Sequence, residues 1–210
     1  MEDHMFSLVI AALLAVQTPP AQETRPAVDS ELRELALRAL IEDADIPKLV
    51  ALYDGEKNSE NRELILRALG DRDTAEARKK LADVANRETD KELRETAVRL
   101  LAEQGDVSAV VAMYDAQKDP ELKEVIIREL GERSEAAAQQ TLVSIMRGDS
   151  DPELREEAAR AVAEEASTKT LIELFDSIPN REVREIFVRE LGERDDELAR
   201  QKLMAIIEGK

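Results

Sequence analysis

From Asp29 onward, apolar positions recur along the chain at helical spacing. Leu32, Leu35, Ala36, Ala39 and Leu40 stand at relative positions 0, 3, 4, 7 and 8, which at about 100° per residue form one stripe on a helix. The unit is clearest at Asp151 to Val162, DPELREEAARAV, and relatives of it recur along the chain. Leu32-Arg33, Leu93-Arg94 and Leu154-Arg155 lie 61 residues apart, as do Asn61-Arg62, Leu122-Lys123 and Val183-Arg184. The offsets within each pair are 29 and 32, so a two-repeat unit occurs three times. Six repeats of about 30 residues predict an all-α solenoid of six helical pairs. Their boundaries fall near 29–57, 58–88, 89–117, 118–149, 150–178 and 179–210.

Within each repeat, one further position is apolar in every copy: Leu37, Leu66, Val98, Ile127, Ala159 and Val188. It widens the stripe sideways, as stacking against neighbouring repeats requires. Asp119-Pro120 and Asp151-Pro152 place an acceptor before a proline at the first helical position, a helix start. Second helices are expected at Pro47 to Asp54, Ala75 to Asn86, Ser108 to Asp115, Ala136 to Arg147, Thr170 to Asp176 and Asp196 to Glu208. Leu-Gly-Asp/Glu-Arg precedes the even ones at residues 69–72, 130–133 and 191–194. The isolated glycines 55, 70, 105, 131, 148 and 192 fall between these helices and read as C-cap signals. Asn61 stands where the other copies have Leu or Val, so the second repeat is expected to start late or fray.

Met1 to Val28 differs. Phe6 to Val16 is an apolar run of eleven residues, the length of a secretory leader core and short of the roughly 20 a spanning helix needs. Residues 1–17 read as a signal peptide or apolar leader, and 18–28 as a Pro-rich linker to the repeat domain at 29–210. Glu2 and Asp3 stand where a leader has basic residues, which leaves an uncleaved anchor or a helix packed on the first repeat as alternatives. The expected location is therefore outside the cytoplasm, periplasmic or extracellular, with the cytoplasm as the alternative.

Composition sharpens the fold class and narrows the chemistry. Aromatics are 2% and charged residues 37%, which suits helices and not sheets. The net charge of −17 argues against nucleic acid, whose binding rests on Lys and Arg, and against docking on anionic lipid. A basic protein or peptide partner is compatible with it, and plain solubility explains the charge at least as well. The chain has no cysteine and one histidine, His4, which a cleaved leader would remove. A mature chain without either lacks the commonest general base, thiol nucleophile and N or S metal ligands, so no catalytic residue, cofactor or metal site is assigned. Asp71, Asp73, Asp195 and Asp196 sit in turns without calcium-loop spacing and read as solvated caps.

Two charged rows and one aromatic row remain. Glu34 and Arg38, Glu63 and Arg67, Glu95 and Arg99, Glu124 and Arg128, Glu156 and Arg160, and Glu185 and Arg189 are spaced as helical ion pairs, Glu first. Arg33, Arg62, Arg94, Lys123, Arg155 and Arg184 edge the stripe and are expected to reach acids at the start of an adjacent repeat. Tyr53, Tyr114 and Phe175, 61 residues apart, are either a peptide-binding ridge or core, and their place about 40° from Leu49 favours core.

Asp151-Pro152-Glu153-Leu154-Arg155, followed by Ala158-Ala159 and Ala161-Val162, resembles the HEAT repeat pattern in its short bacterial form. The resemblance spans about residues 29–210. It implies a right-handed α-solenoid whose second helices line a concave face, and a family of scaffolds and binding surfaces with occasional enzymes such as bilin lyases. The expected function is a non-catalytic interaction or scaffolding module. Its candidate protein-binding residues on the concave face are Lys80, Asp83, Ala112, Thr141, Ser144 and Glu173. A bilin-lyase-like cofactor-handling enzyme and a fragment of a longer envelope sensor are the alternatives.

Overall fold

A computed structural model describes residues 30–209. The leader, the linker and His4 lie outside the described residues. Among the described residues, twelve α-helices follow one another: α1 Ser30–Glu42, α2 Ile46–Gly55, α3 Ser59–Gly70, α4 Ala75–Arg87, α5 Lys91–Gln104, α6 Val107–Ala116, α7 Pro120–Gly131, α8 Ala136–Gly148, α9 Pro152–Glu165, α10 Thr168–Ser177, α11 Arg181–Glu193 and α12 Glu197–Ile207. No strand occurs among the described residues.

Local chemistry sets these boundaries. Asp45, Asn58, Thr74, Asp90, Asp106, Asp119, Asp151, Ser167, Asn180 and Asp196 each accept a hydrogen bond from a backbone N–H of the first helical turn. The second repeat does not start late. Asn58 caps α3 at the register of the other first helices, and the Asn61 amide turns back to donate to Glu56 at 3.2 Å. The glycines do not act as left-handed caps, since Gly209 is the only described glycine with a positive φ. Two of them allow close packing instead. A Cβ on Gly70 would lie 2.7 Å from Leu100 Cδ2, and one on Gly131 would lie 3.2 Å from Ala161 Cβ.

The chain divides after Leu37, inside α1. In the first unit Leu37 is buried, while Leu32 and Leu35 are 61% and 62% exposed. In the second unit the first helices stack in sequence, α3 on α5, then α7, α9 and α11. Their sideways positions Leu66, Val98, Ile127 and Ala159 are all buried, and Val188 on α11 is half-buried. Second helices pair within each two-repeat unit, α2 with α4, α6 with α8 and α10 with α12. On α12, Leu198, Met204 and Ile207 are exposed, whereas Leu203 and Ile206 are half-buried.

The 61-residue column Arg72, Arg133, Arg194 has a duty that helical spacing does not reveal. Each guanidinium reaches back about 30 residues to carbonyls at the end of the preceding repeat's first helix. Arg72 donates to the carbonyl of Glu42 at 2.8 Å, Arg133 to Ala102 and Gly105 at 2.5 and 3.1 Å, and Arg194 to Ala163 and Ala166 at 2.7 and 2.6 Å.

The other basic row follows the expectation in part, with Arg94 the clear case of an acid reached at the start of the adjacent repeat. Arg62 bonds Glu88, Arg94 bonds the α7 cap Asp119 at 2.5 Å, and Lys123 lies 4.0 Å from Asp149. At the next copy the cap is Asn180, without charge, and Arg155 folds back onto the carbonyls of Asp149 and Ser150 at 2.8 and 3.3 Å. Arg94→Ala is accordingly expected to lose about 1 kcal/mol, and Arg155→Ala clearly less. Thermal melts of the two variants check this, and equal losses would contradict it. The Glu–Arg spacing forms helical pairs at Glu63–Arg67 (2.7 Å) and Glu156–Arg160 (3.1 Å). Arg99 and Arg128 instead lean towards the next first helix, 3.8 Å from Glu129 and 3.9 Å from Glu157.

Candidate functional site

Each pair of second helices is held together around one aromatic ring. Tyr53, Tyr114 and Phe175 are 2%, 5% and 3% exposed, which makes them core and not a ridge. A cation from the following first helix stacks on each ring: Arg62 at 4.3 Å from the Tyr53 centroid, Lys123 at 4.4 Å from Tyr114 and Arg184 at 4.2 Å from Phe175. The hydroxyls meet carboxylates just beyond the even second helices. Tyr53 donates to Glu88 at 3.0 Å and Tyr114 to Asp149 at 2.7 Å. Burial and these acceptors push both phenols well above their ordinary range.

The carboxylates respond in the opposite direction. Burial would raise Glu88, but hydrogen bonds from Arg62, the Thr89 N–H, Tyr53 and the Asp90 N–H outweigh it and hold the carboxyl at about 2. Asp149 is likewise lowered, because the Asp151 N–H, the Tyr114 hydroxyl, Lys123 and Arg155 outweigh its burial. These groups stay ionised at neutral pH.

The six candidate residues all lie on this second-helix layer, and none is buried. Asp83, Ala112, Ser144 and Glu173 are exposed, whereas Lys80 and Thr141 are half-buried. Lys80 lies back to place its ammonium 2.6 Å from Asp54, and Glu173 sits 3.9 Å from Lys169. Thr141 and Ser144 come together in one cavity of about 740 Å³ between α6 and α8, with Ser108, Tyr114, Asp115 and Asp149 in its wall. A second cavity, of about 510 Å³, lies between α8 and α10 and includes Val143, Ser167 and Thr170. Lys80, Asp83, Ala112 and Glu173 line neither.

Helical spacing alone had not singled out Asp115 and Asp149 as cavity residues. The available signal was the 61-residue column Lys80, Thr141, Lys202, in which the middle member alone lacks a charge. The turn acids serve structure: Asp196 caps α12 and accepts from Thr168 at 2.5 Å, while Asp73 and Asp195 pair with Arg78 and Arg200. Among the described residues, no group of three or more His, Cys, Asp or Glu is placed to hold a metal ion, and no helix is long and apolar enough to cross a membrane.

No curated protein matches the chain. Residues 107–174, from α6 into α10 and including the whole 740 Å³ cavity, match the family model of HEAT repeats, so this stretch of the chain carries HEAT repeats.

Proposed function

We propose that the chain is a non-catalytic interaction module, and that a basic protein or peptide docks along its second-helix face. HEAT repeats generally mediate protein–protein interaction or scaffolding, and the acidic balance of −17 suits a basic partner. The observation that carries the reading is the cavity between α6 and α8. It opens beside small uncharged side chains, Ser108, Ala137, Thr141 and Ser144, where another chain can approach closely. Asp83, Ala112 and Glu173 are exposed on α4, α6 and α10 of the same second-helix layer. An exported location fits the apolar run at Phe6 to Val16 and belongs to the same proposal.

The test is affinity capture with the full chain from the native envelope fraction, alongside Ser144→Lys and Glu173→Lys. Recovery of a specific basic protein by the parent chain, lost in both variants, is the expected result. Recovery unchanged by either substitution places the docking surface elsewhere. A bound chromophore or turnover by the purified chain would instead favour the cofactor-handling alternative.

A further inference from the structure

The three two-repeat units carry the same aromatic bracket but complete it differently. The residue after each ring is an acid, Asp54, Asp115 or Asp176, and 27 residues beyond the ring stand Lys80, Thr141 and Lys202. In the first unit the Lys80 ammonium is 2.6 Å from Asp54 and 4.9 Å from the Tyr53 centroid. In the third the Lys202 ammonium is 2.5 Å from Asp176 and 5.0 Å from the Phe175 centroid. Both lysine side chains are largely buried, at 17% and 14% exposure, so each ammonium closes the gap between its two second helices.

The middle unit has the ring and the acid but lacks the lysine. The Thr141 hydroxyl is short and donates to the carbonyl of Ala137 at 2.9 Å. Asp115 forms no ion pair with any described residue, and the 740 Å³ cavity lies here, with Tyr114, Asp115, Thr141 and Asp149 in its wall. The cation from the following first helix is retained, as Lys123.

We propose that this cavity is a docking slot for a lysine side chain of the protein partner, supplied in trans where Lys80 and Lys202 supply it in cis. The inference rests on the interaction-module reading and specifies what its partner presents. An alkyl stem enters beside Ser108 and Thr141, and the ammonium meets the Asp115 carboxylate and the Tyr114 ring, as Lys80 and Lys202 meet theirs, with Asp149 adding negative potential. The slot is open because Thr141 stands where the other two units have a lysine, while the ring and the acid are present in all three.

The chain has two tyrosines, so Tyr114 is the reporter and Tyr53, already closed by Lys80, is the internal control. The experiment is an NMR titration of the full chain with N-acetyl-lysine methylamide, and with the norleucine analogue as its uncharged counterpart. The expected result is a saturable shift of the Tyr114 ring signals by the lysine probe, with Tyr53 unmoved and norleucine silent. Asp115→Asn weakens the response about tenfold. Thr141→Lys abolishes it without lowering the melting temperature, and Lys80→Thr opens a matching response at Tyr53. Equal shifts at both rings, no shift at Tyr114, or a response that survives Thr141→Lys overturns the proposal. If partner capture is lost on Glu173→Lys but unaffected by Thr141→Lys, the slot falls and the interaction module stands. If the Tyr114 response is intact and the chain captures no protein, the ammonium site stands and the interaction module falls.

Discussion

Phe187→Ala is expected to destabilise the repeat stack by about 3–5 kcal/mol. Phe187 is fully buried at 0% exposure on α11, which packs between α9 and α12. Removing the ring forfeits its burial and leaves a void that helices anchored on two sides cannot fully close. Stability in a repeat array is roughly a sum of repeats and nearest-neighbour interfaces, so the loss stays local. Melting followed by circular dichroism should therefore split, with a first transition about 10 °C below the parent midpoint. Hydrogen exchange should assign that transition to α11 and α12. A single transition at the parent temperature would show that Phe187 does not hold the α9–α11 interface together.

Glu88→Gln is expected to show the largest pH-dependent effect. Its carboxylate receives Arg62 and the Tyr53 hydroxyl across the joint between two repeats, and its side chain is 11% exposed. Neutralising it leaves Arg62 without a counter-charge in a half-buried position, a loss of about 2–3 kcal/mol at neutral pH. The carboxyl titrates at about 2 in the folded chain, below its ordinary value. Its contribution is therefore fully present above the unfolded value near 4.3 and declines as pH falls from there through about 2. The difference in melting temperature between parent and variant should be widest at pH 7, narrow below about pH 4 and close near pH 2. A difference that stays constant across that range would mean that charge at Glu88 has no part in the stability of the joint.

Much of the fold is legible in the pattern of residues because it depends on neighbours within a turn or two. The second helix expected at Pro47 to Asp54 spans Ile46–Gly55, and the one expected from Ala75 to Asn86 ends at Arg87. Where local spacing misled, a distant contact had intervened. The C-cap reading of the glycines holds at Gly105, which caps α5 without a left-handed backbone, whereas Gly70 and Gly131 are needed where α5 and α9 come close. Asn61 looked like a disruption, yet Asn58 had already capped α3 in register. Arg99 and Arg128 have the spacing of helical ion pairs, but an acid on the next helix lies within their reach.

Of the candidate site, the second-helix face and the small side chains at Thr141 and Ser144 were readable from periodicity, whereas the cavity beside them was not. Caps, apolar stripes and the 61-residue period belong to the sequence alone, since each follows from backbone chemistry and the 3.6-residue turn. Only the tertiary structure decided that Arg72, Arg133 and Arg194 close the ends of earlier helices, that Lys80 and Lys202 fold onto aromatic rings, and that Thr141 leaves the same place open. Those pairings join residues about 26 to 35 positions apart. Which of several nearby charges a long side chain reaches is set by how the helices pack, and no spacing along the chain contains that distance.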